Sequence, residues 1–294
     1  MSKYTVALIG QHGQVSTYLQ RAFKHQKEIS LLVLGREELD LSQPDTISES
    51  LKGVEFDLLI NPAAFTAVDL AEEQHEESFA INRDAAEQLA LVCVERNTPM
   101  IHYSTDYVFP GDAVEPYVET DATGPTGVYG KSKLEGENAI LATGAKAIIL
   151  RTAWVYSNVG KNFYKTMLGL SESRNELSVV NDQVGSPTYA GSIADATLKL
   201  SRALLEQGVR DDQFGVYHLT CQGHTHWADF AQSLFRANGI GHMTVNGIPS
   251  SEYPTPAKRP EYSVLNCAKL ADQFGIALPN WKDALHDCAR EKVA

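Results

Sequence analysis

The sequence has no run of lysine or arginine. Its 294 residues carry 25 lysines and arginines against 37 aspartates and glutamates, a formal net charge of −12. A protein that tracks a nucleic-acid backbone gains most of its affinity when clustered cations displace counterions from phosphates. The charge balance therefore argues against a nucleic-acid partner, and we expect small molecules or proteins as partners.

Cysteines and long apolar stretches are also scarce. The 4 cysteines are scattered without a C-x-x-C pair, which predicts neither a disulfide framework nor a zinc site and is typical of a reducing compartment. A membrane span needs about 18 apolar residues in succession, and the sequence has no such stretch. The apolar run from Tyr4 to Ile9 is too short for a signal peptide. We expect a soluble, cytoplasmic protein without a membrane partner.

Short apolar runs alternate with helical patterns in the first half of the chain. The runs that have the composition of strands buried on both faces are residues 5–9, 31–34, 57–60, 100–104 and 147–150. The segments long enough to be crossover helices begin at Thr17, Asp45, Glu76 and Lys133. This alternation predicts an α/β fold with a doubly wound parallel sheet.

Beyond Arg151 the pattern loosens, because glycine, proline and asparagine gather at residues 158–162, 181–188 and 249–260. Thr225 is the predicted N-cap of a helix that stops at Gly239. Ligands of open α/β sheets lie at the carboxyl ends of the strands. We therefore expect the loop-rich second half to close over that edge of the sheet.

A turn containing two glycines follows the first predicted strand. Its residues are Gly10, Gln11, His12, Gly13, Gln14, Val15 and Ser16. Glycine lets the backbone approach a pyrophosphate, and the N-terminus of the next helix offers free N–H groups. Ser16 stands where a third glycine would pack helix against strand, and it is small enough to substitute. The position in the chain favours a dinucleotide-binding turn over an ordinary tight turn.

The segment after the second predicted strand discriminates between nicotinamide cofactors. An acidic residue favours the ribose 2′-hydroxyl, whereas an arginine favours a 2′-phosphate. Arg36 is the nearer residue and Asp40 follows it, so the sequence favours NADPH, with NADH left open and Asp40 directed to the adenine end. The alternative is that Arg36 belongs to a merely solvated loop.

The strongest candidate for catalysis is a tyrosine followed four residues later by a lysine. Tyr129 and Lys133 share one face of a helix, which brings an ammonium close to a phenol. A nearby cation stabilises phenolate and so adapts a weak acid to proton transfer at neutral pH. Thr105, at the end of the fourth predicted strand, can hydrogen-bond both the phenol and a substrate oxygen. Together with the glycine turn in this chain order, Thr105 makes a chance match of the Tyr129 and Lys133 pair on a surface helix improbable.

Metal binding is not expected. His224 and His226 resemble a ligand pair, but they precede a predicted helix and lack a matched carboxylate or third ligand. Capping or a surface role is the preferred interpretation of these histidines.

The motif order resembles that of the extended short-chain dehydrogenase/reductases, and within them the dTDP-4-dehydrorhamnose reductase family. The segments that carry the resemblance are residues 13–14, 39–41, 63–69, 81–82, 104–109, 129–135, 151–156, 162–163, 182–183, 185–188 and 259–260. The family departures are Ser16 in place of glycine, Pro62 in place of alanine, and Phe65 in place of tyrosine or histidine.

This resemblance implies a sugar-nucleotide 4-ketoreductase of cell-surface polysaccharide biosynthesis. A nicotinamide cofactor would deliver hydride to C4 of dTDP-4-dehydro-6-deoxy-L-mannose, and Tyr129 would give the proton, yielding dTDP-L-rhamnose. Lys133 would hold the nicotinamide ribose and lower the pKa of Tyr129, while Thr105 would tune that tyrosine. Some family members use magnesium at a dimer contact, but its ligands are not assignable here, so magnesium is not predicted and a homodimer is left open.

The resemblance also assigns residues and lobes. Substrate contacts fall on Thr105, Asp106 and Trp154. Cofactor contacts fall on Gly10, Gln11, His12, Gly13, Gln14, Val15, Asp40, Leu41, Ala63, Ala64, Phe65, Tyr129 and Lys133. An NAD(P)-binding Rossmann domain would comprise residues 1–152 with about 188–220, and a smaller, loop-rich substrate-binding domain about 153–187 with 221–294.

Three other functions compete with this interpretation. In the related 4,6-dehydratases a glutamate follows Thr-Asp, whereas Tyr107 stands there in this chain, so dehydration is not expected. A non-catalytic subunit resembling the β side of methionine adenosyltransferase need not keep Thr105, Tyr129 and Lys133 together. Another sugar-nucleotide 4-ketoreductase is the remaining alternative.

Overall fold

The computed structural model describes residues 2–291, apart from the side chain of Gln207. The strands are β1 (Tyr4–Ile9), β2 (Ile29–Leu34), β3 (Leu58–Asn61), β4 (Met100–Thr105), β5 (Ala147–Thr152), β6 (Val155–Tyr156), β7 (Glu176–Val180), β8 (Val184–Gly185), β9 (Thr188–Tyr189), β10 (Gly215–His218), β11 (Thr225–His226) and β12 (Thr244–Ile248). The α-helices are α1 (Gln14–Phe23), α2 (Ile47–Ser50), α3 (Val68–Ala71), α4 (His75–Phe79), α5 (Ala85–Glu95), α6 (Val128–Ala142), α7 (Phe163–Ser171), α8 (Ala190–Arg202), α9 (Trp227–Ala237), α10 (Ala268–Phe274) and α11 (Trp281–Arg290).

A parallel sheet of six strands forms the centre, in the order β10-β5-β4-β3-β1-β2. The chain runs outward from β1 to β2 and then returns past β1 to β3. The strand order reverses at that point, so a ligand crevice is expected at the carboxyl ends of β1 and β3. The predicted doubly wound α/β fold with a parallel sheet is confirmed.

Both faces of this sheet are covered, which explains why its strands are mainly apolar. Val6 and Leu8 pack with α1 and α8 on one side, and Ala7 and Ile9 pack with α5 on the other. All four side chains are at most 1% exposed. Alternate residues of a strand point to opposite faces, so a strand covered on both faces favours apolar residues at most positions.

All the predicted strands are present, with ends that differ by at most two residues, but the sixth strand was not predicted. Strand β10 has only 4 residues, of which the first two are half-buried, and it lies in a loop-rich part of the chain. Its glycine, Gly215, has a φ of +132°. A strand this short leaves too little periodicity to recognise.

The crossover segments are less regular than predicted. The helix expected from Asp45 is a 3₁₀ turn, Pro44–Thr46, followed by the single turn of α2. The segment expected from Glu76 begins as α4 and passes through a π-helical turn, Ala80–Asp84, into α5. Helices α1 and α6 begin before Thr17 and Lys133, at Gln14 and Val128, so α6 includes Tyr129.

The N-cap predicted at Thr225 is wrong by one residue. His226 caps α9, since its Nδ1 accepts the backbone N–H of Asp229 at 3.2 Å. Thr225 instead lies in β11 and donates its hydroxyl to the Asp229 carboxylate at 2.7 Å. Both side chains hold the first turn of α9.

The second half adds two-stranded sheets, β6 with β9, β7 with β12, and β8 with β11. Between them the chain returns to the central sheet through α8 and β10. Over residues 2–291, no helix is both long and apolar enough to cross a bilayer.

Candidate active site

A cleft of about 1170 Å³ opens where the strands of the central sheet end. Its walls are the turn after β1, the ends of β2, β3 and β4, the start of α6, and aromatic side chains of the second half. Those aromatic residues are Trp154, Tyr156, Phe163, Trp227 and Phe230. The loop-rich half therefore covers the carboxyl edge, as expected.

The glycine turn leaves open space in this cleft. Gly10 has a φ of +86°, which an L side chain rarely adopts, and its Cα faces Ala63. A Cβ on Gly13 would meet no protein atom within 4 Å, although Gly13 lines the cleft and caps α1 without any side-chain hydrogen bond. The first N–H groups of α1 thus face open space that fits a phosphate.

Ser16 replaces the missing third glycine through a hydrogen bond. Its hydroxyl donates to the carbonyl of Gly10, and the side chain is 3% exposed. The bond ties the first turn of α1 back to the end of β1. The serine therefore holds the turn closed at a position where glycine would only have allowed close packing.

Tyr129 reaches the cleft because α6 packs against the turn that follows β4. A Cβ on Gly130 would overlap the carbonyl oxygen of Tyr107, so only glycine permits this contact. A carboxylate oxygen of Glu72 accepts the backbone N–H of Val128 at 2.8 Å and thereby holds the start of the helix. The ring of Tyr107 meets that of Tyr129 edge to face, with centroids 5.5 Å apart.

Burial controls the acidity of Tyr129. It raises the pKa of the phenol to about 12, the hydroxyl of Thr105 opposes this shift by hydrogen bonding, and the charge of Asp106 adds to it. A phenol with that pKa is fully protonated at neutral pH and is poised as a proton donor rather than a base.

Lys133 is engaged away from the phenol in this arrangement, and its lowering of the pKa of Tyr129 stays a prediction. The lysine lies on the same side of α6, but it is 1% exposed, and its Nζ donates to the Tyr103 carbonyl at 2.7 Å. The same nitrogen lies 3.1 Å from Nε2 of His102. Burial lowers the pKa of Lys133 to about 8, and the charge of Glu137 opposes that shift.

Thr105 and Asp106 stand beside the tyrosine at the end of β4. The Thr105 hydroxyl donates to the Asp106 carboxylate at 3.0 Å and accepts the N–H of Tyr107 at 3.2 Å. Asp106 is 2% exposed, and burial raises the pKa of its carboxyl to about 6 while the hydrogen bond from Thr105 opposes the shift. Its Oδ2 has no hydrogen-bond partner among the described residues, which suits a donor arriving in the cleft.

Trp154 forms the opposite wall. Its backbone has a φ of +47°, and its ring stacks on that of Trp227 with centroids 3.6 Å apart. A Cβ on Gly185 would come within 2.5 Å of the Trp154 ring. Trp227 and Gly185 thus fix the indole in place at the wall of the cleft.

The structure brings most of the predicted site residues into this one cleft. Those that line it are Gly10, Gln11, His12, Gly13, Gln14, Val15, Arg36, Ala63, Ala64, Thr105, Asp106, Tyr129, Lys133 and Trp154. Asp40, Leu41 and Phe65 do not line it. Asp40 is turned to Arg36 and Ser42, and Leu41 is buried in the core.

Comparison with known proteins shows where this arrangement recurs. The family model described as RmlD substrate binding domain matches residues 4–293. A curated relative from Sinorhizobium fredii, named dTDP-4-dehydrorhamnose reductase, is 42% identical over 282 residues, which is 95% of this chain and 94% of the relative. The chain belongs to the dTDP-4-dehydrorhamnose reductase family.

Two solved structures of dTDP-4-dehydrorhamnose reductases extend this finding to the fold. The enzyme from Clostridium acetobutylicum is 36% identical and superposes with a TM-score of 0.89, covering 97% of this chain and 98% of its own. The Bacillus anthracis enzyme, solved in complex with NADP, is 30% identical with the same TM-score and the same coverage.

Sequence reasoning missed several buried polar residues behind this reductase site. His102 lies between Lys133 and Asn61, with 3.1 Å to each. Glu137 of α6 binds the guanidinium of Arg151 at 2.6 Å and accepts the hydroxyl of Ser104. A polar residue at the inner position of a strand or helix was the available signal, but its partner cannot be identified without the fold.

Asn82 is a further residue that sequence reasoning left without a role in this family member. Its side-chain oxygen accepts the Phe65 N–H at 2.9 Å, and its amide nitrogen donates to the Phe65 carbonyl at 3.1 Å and to the Ser132 hydroxyl at 3.0 Å. Asn82 thereby joins the segment after β3 to α6.

Across residues 2–291, no group of three or more histidine, cysteine or acidic side chains is arranged to hold a metal ion.

Proposed function

We propose that this protein reduces the C4 ketone of dTDP-4-dehydro-6-deoxy-L-mannose to dTDP-L-rhamnose with NADPH, as part of nucleotide-sugar and polysaccharide biosynthesis. The observation that carries the proposal is the phenol of Tyr129 beside Thr105, in a cleft that the glycine turn enters from the other side. The relatives, which are dTDP-4-dehydrorhamnose reductases, support the same substrate and the same reaction.

Each residue of the site has a distinct task in this reaction. NADPH, when bound, supplies a hydride to the carbonyl carbon. Tyr129 donates its proton to the carbonyl oxygen as negative charge develops there, and the Thr105 hydroxyl orients that oxygen. The high pKa of the phenol keeps the proton on Tyr129 until the transfer begins.

Lys133 acts through charge once the phenol has lost its proton. An ammonium stabilises the phenolate, and Nζ is well placed to bind the nicotinamide ribose because it lines the cleft from the same helix face as Tyr129. The carboxyl of Asp106 offers its unpartnered oxygen to a sugar hydroxyl. Trp154 provides the flat apolar wall for the deoxysugar ring.

The cofactor preference rests on Arg36. Its side chain is 75% exposed at the rim of the cleft, and its Nε lies 3.4 Å from the Asp40 carboxylate. An exposed pair of this kind contributes little to stability, so the guanidinium is available to a 2′-phosphate.

The decisive experiment follows NADPH absorbance after purified protein is mixed with dTDP-4-dehydro-L-rhamnose. We expect turnover by the wild type and almost none by Tyr129→Phe, which should still bind NADPH. Tyr253→Phe, at a 60% exposed tyrosine outside the cleft, is the matched control and should keep full activity. A wild-type protein that binds NADPH but reduces no 4-keto sugar nucleotide would instead be a non-catalytic binding subunit.

We also propose a division into two lobes and a cytoplasmic location. Residues 1–152 with about 188–220 would bind the cofactor and the remainder the sugar nucleotide, a division supported by the return of the chain to the central sheet at β10. The cysteines, all free, support a reducing compartment. A homodimer stays a prediction, which sedimentation of the purified protein would test.

A further inference from the structure

Asn61, His102 and Lys133 form a continuous row of hydrogen-bonding side chains. Each is 1% exposed. Asn61 ends β3, His102 lies on the neighbouring strand β4, and Lys133 lies on α6. Lys133 lines the cleft, whereas the other two lie behind it. The imidazole is 3.1 Å from each neighbour, through Nδ1 to the Asn61 amide and through Nε2 to Nζ of Lys133.

The directions of these hydrogen bonds are fixed from one end of the row. The backbone N–H of Ala63 donates to the side-chain oxygen of Asn61 at 3.1 Å. A backbone N–H is always a donor, so the amide group of Asn61 must turn its NH₂ toward His102. Nδ1 of His102 therefore accepts and bears no hydrogen. A neutral imidazole with a bare Nδ1 has its hydrogen on Nε2.

That hydrogen points at Lys133. The contact is a hydrogen bond only if Nζ offers a lone pair, which the neutral amine has and the ammonium lacks. The amine still has a hydrogen to donate to the Tyr103 carbonyl, 2.7 Å away. The hydrogen bonds of the whole row are therefore complete when Lys133 is neutral.

A protonated Lys133 cannot be accommodated without a conflict somewhere in the row. Moving the imidazole hydrogen to Nδ1 frees Nε2 for the ammonium, but it sets N–H against the Asn61 NH₂. Flipping the Asn61 amide then sets its NH₂ against the N–H of Ala63. One buried donor faces another in each arrangement, and such unmade hydrogen bonds are costly.

We propose that Asn61 and His102 are positioning residues that favour the neutral amine of Lys133 and so set the pH above which the reductase loses activity. The catalytic consequence rests on the proposed function, because there the ammonium form of Lys133 stabilises the phenolate. The state of the imidazole does not rest on it.

The charges around Lys133 are consistent with this role. Glu137, the carboxylate whose charge acts on Lys133, is already engaged by Arg151 at 2.6 Å and by the hydroxyl of Ser104. Burial of His102 and the charge of Lys133 both lower the pKa of the imidazole well below its usual range, so it stays neutral. Other ionisable groups on α6, on the elements packed against it or directly after α3 are Asp69, Glu72, His75, Glu76, Glu77, Arg83, Asp84, Glu87, Cys93, Glu95, Tyr103, Asp106, Tyr107, Tyr129, Lys131 and Glu135.

The first test is nitrogen NMR of the wild-type protein labelled with ¹⁵N-histidine, at neutral pH. The signals of His102 are assigned by their loss in His102→Gln. We expect Nδ1 to show the chemical shift of a bare ring nitrogen and Nε2 that of a protonated one. The reverse pattern, or two protonated nitrogens, would overturn the proposal whether or not the protein is a reductase.

The second test replaces the amide NH₂ of Asn61 by an oxygen and so reverses the directions of the hydrogen bonds in the row. In Asn61→Asp, one carboxylate oxygen still accepts the Ala63 N–H, but the other accepts from Nδ1 of His102, so that Nε2 becomes an acceptor for the ammonium. We expect the alkaline limb of kcat/KM for NADPH-dependent reduction to move up by about one pH unit or more. Asn138→Asp puts the same charge on the exposed face of α6 and should leave the limb in place.

The same substitution in a His102→Leu background separates hydrogen bonding from charge. We expect the upward move of the limb to disappear there. If it persists, the carboxylate acts on Lys133 through space and His102 has no part. A wild type without turnover at any pH would refute the proposed function. In that case, and also if Asn61→Asp fails to fold, the NMR result alone decides the protonation state of the imidazole.

Discussion

The Cα of Gly130 lies directly against the carbonyl oxygen of Tyr107. This contact sets the distance between α6 and the turn after β4, and therefore the position of Tyr129 relative to Thr105. Because the obstacle is backbone, a side chain at position 130 cannot be accommodated by a change of rotamer. The glycine of the Tyr129 to Lys133 segment is thus part of the site geometry.

Gly130→Ala should damage both the fold and the activity. Overpacking a close contact costs about 1–3 kcal/mol of the free energy of unfolding, and a displacement of about 1 Å at the phenol lowers kcat by about 100-fold. Urea unfolding and NADPH oxidation measure the two effects. Gly169→Ala in α7, where a Cβ would meet open space, is the control and should be neutral or slightly stabilising. Full activity of Gly130→Ala would show that the contact does not position Tyr129.

Arg36→Ala should weaken the preference for NADPH over NADH. A charge-assisted hydrogen bond contributes about 1.5–3 kcal/mol, so KM for NADPH should rise by about 10-fold to 100-fold while KM for NADH changes little. Initial rates with each cofactor at saturating sugar nucleotide measure this. The control is Arg210→Ala, which removes an equally exposed arginine paired with Asp212 away from the cleft. An unchanged ratio of the two KM values would mean that Arg36 does not contact the 2′-phosphate.

Asp106 should make the protein less stable as the pH rises from about 4 to about 6. Its folded-state pKa, raised by burial to about 6, exceeds the ordinary value of 3.8. The native state therefore holds the proton more tightly than the unfolded chain, and this stabilisation is complete below pH 3.8 and lost as the pH passes 6. The difference amounts to about 3 kcal/mol, since one pKa unit corresponds to about 1.4 kcal/mol.

Asp106→Asn isolates this effect, because the amide keeps the shape of the carboxyl and cannot ionise. We expect the variant to gain stability relative to the wild type at pH 8 compared with pH 4, in urea unfolding curves recorded at both values. Asp112→Asn, at an exposed position, is the control and should show no such change. A constant difference between Asp106→Asn and the wild type at every pH would contradict the raised pKa.

The sheet was predictable because its strands are buried on both faces, so that an apolar run such as Leu58 to Ile60 is recognisable in the sequence. The glycine turn and the Tyr129 to Lys133 pair were predictable for another reason. Their geometry is local, fixed by residues within one turn of helix. The fold class and the main candidates for catalysis follow from such local patterns.

What escaped prediction depends on contacts between distant segments. His102 looked like one polar residue in a buried strand, and only the packing of β3, β4 and α6 shows that it stands between Asn61 and Lys133. The hydrogen bond from Lys133 to the Tyr103 carbonyl was not predictable for the same reason, since tertiary structure sets it. The hydrogen bond from the Ser16 hydroxyl to the Gly10 carbonyl was not predicted either, because it forms only when the turn brings the two residues together.

The late arrival of β10 has a consequence for biosynthesis. A ribosome delivers β5 well before residues 215–218, so one edge of the central sheet stays unpaired while residues 153–214 are being synthesised. An unpaired strand edge is a template for association with other chains. The nascent chain thus passes through a stage at which the edge of β5 is exposed to association with other chains until its partner emerges.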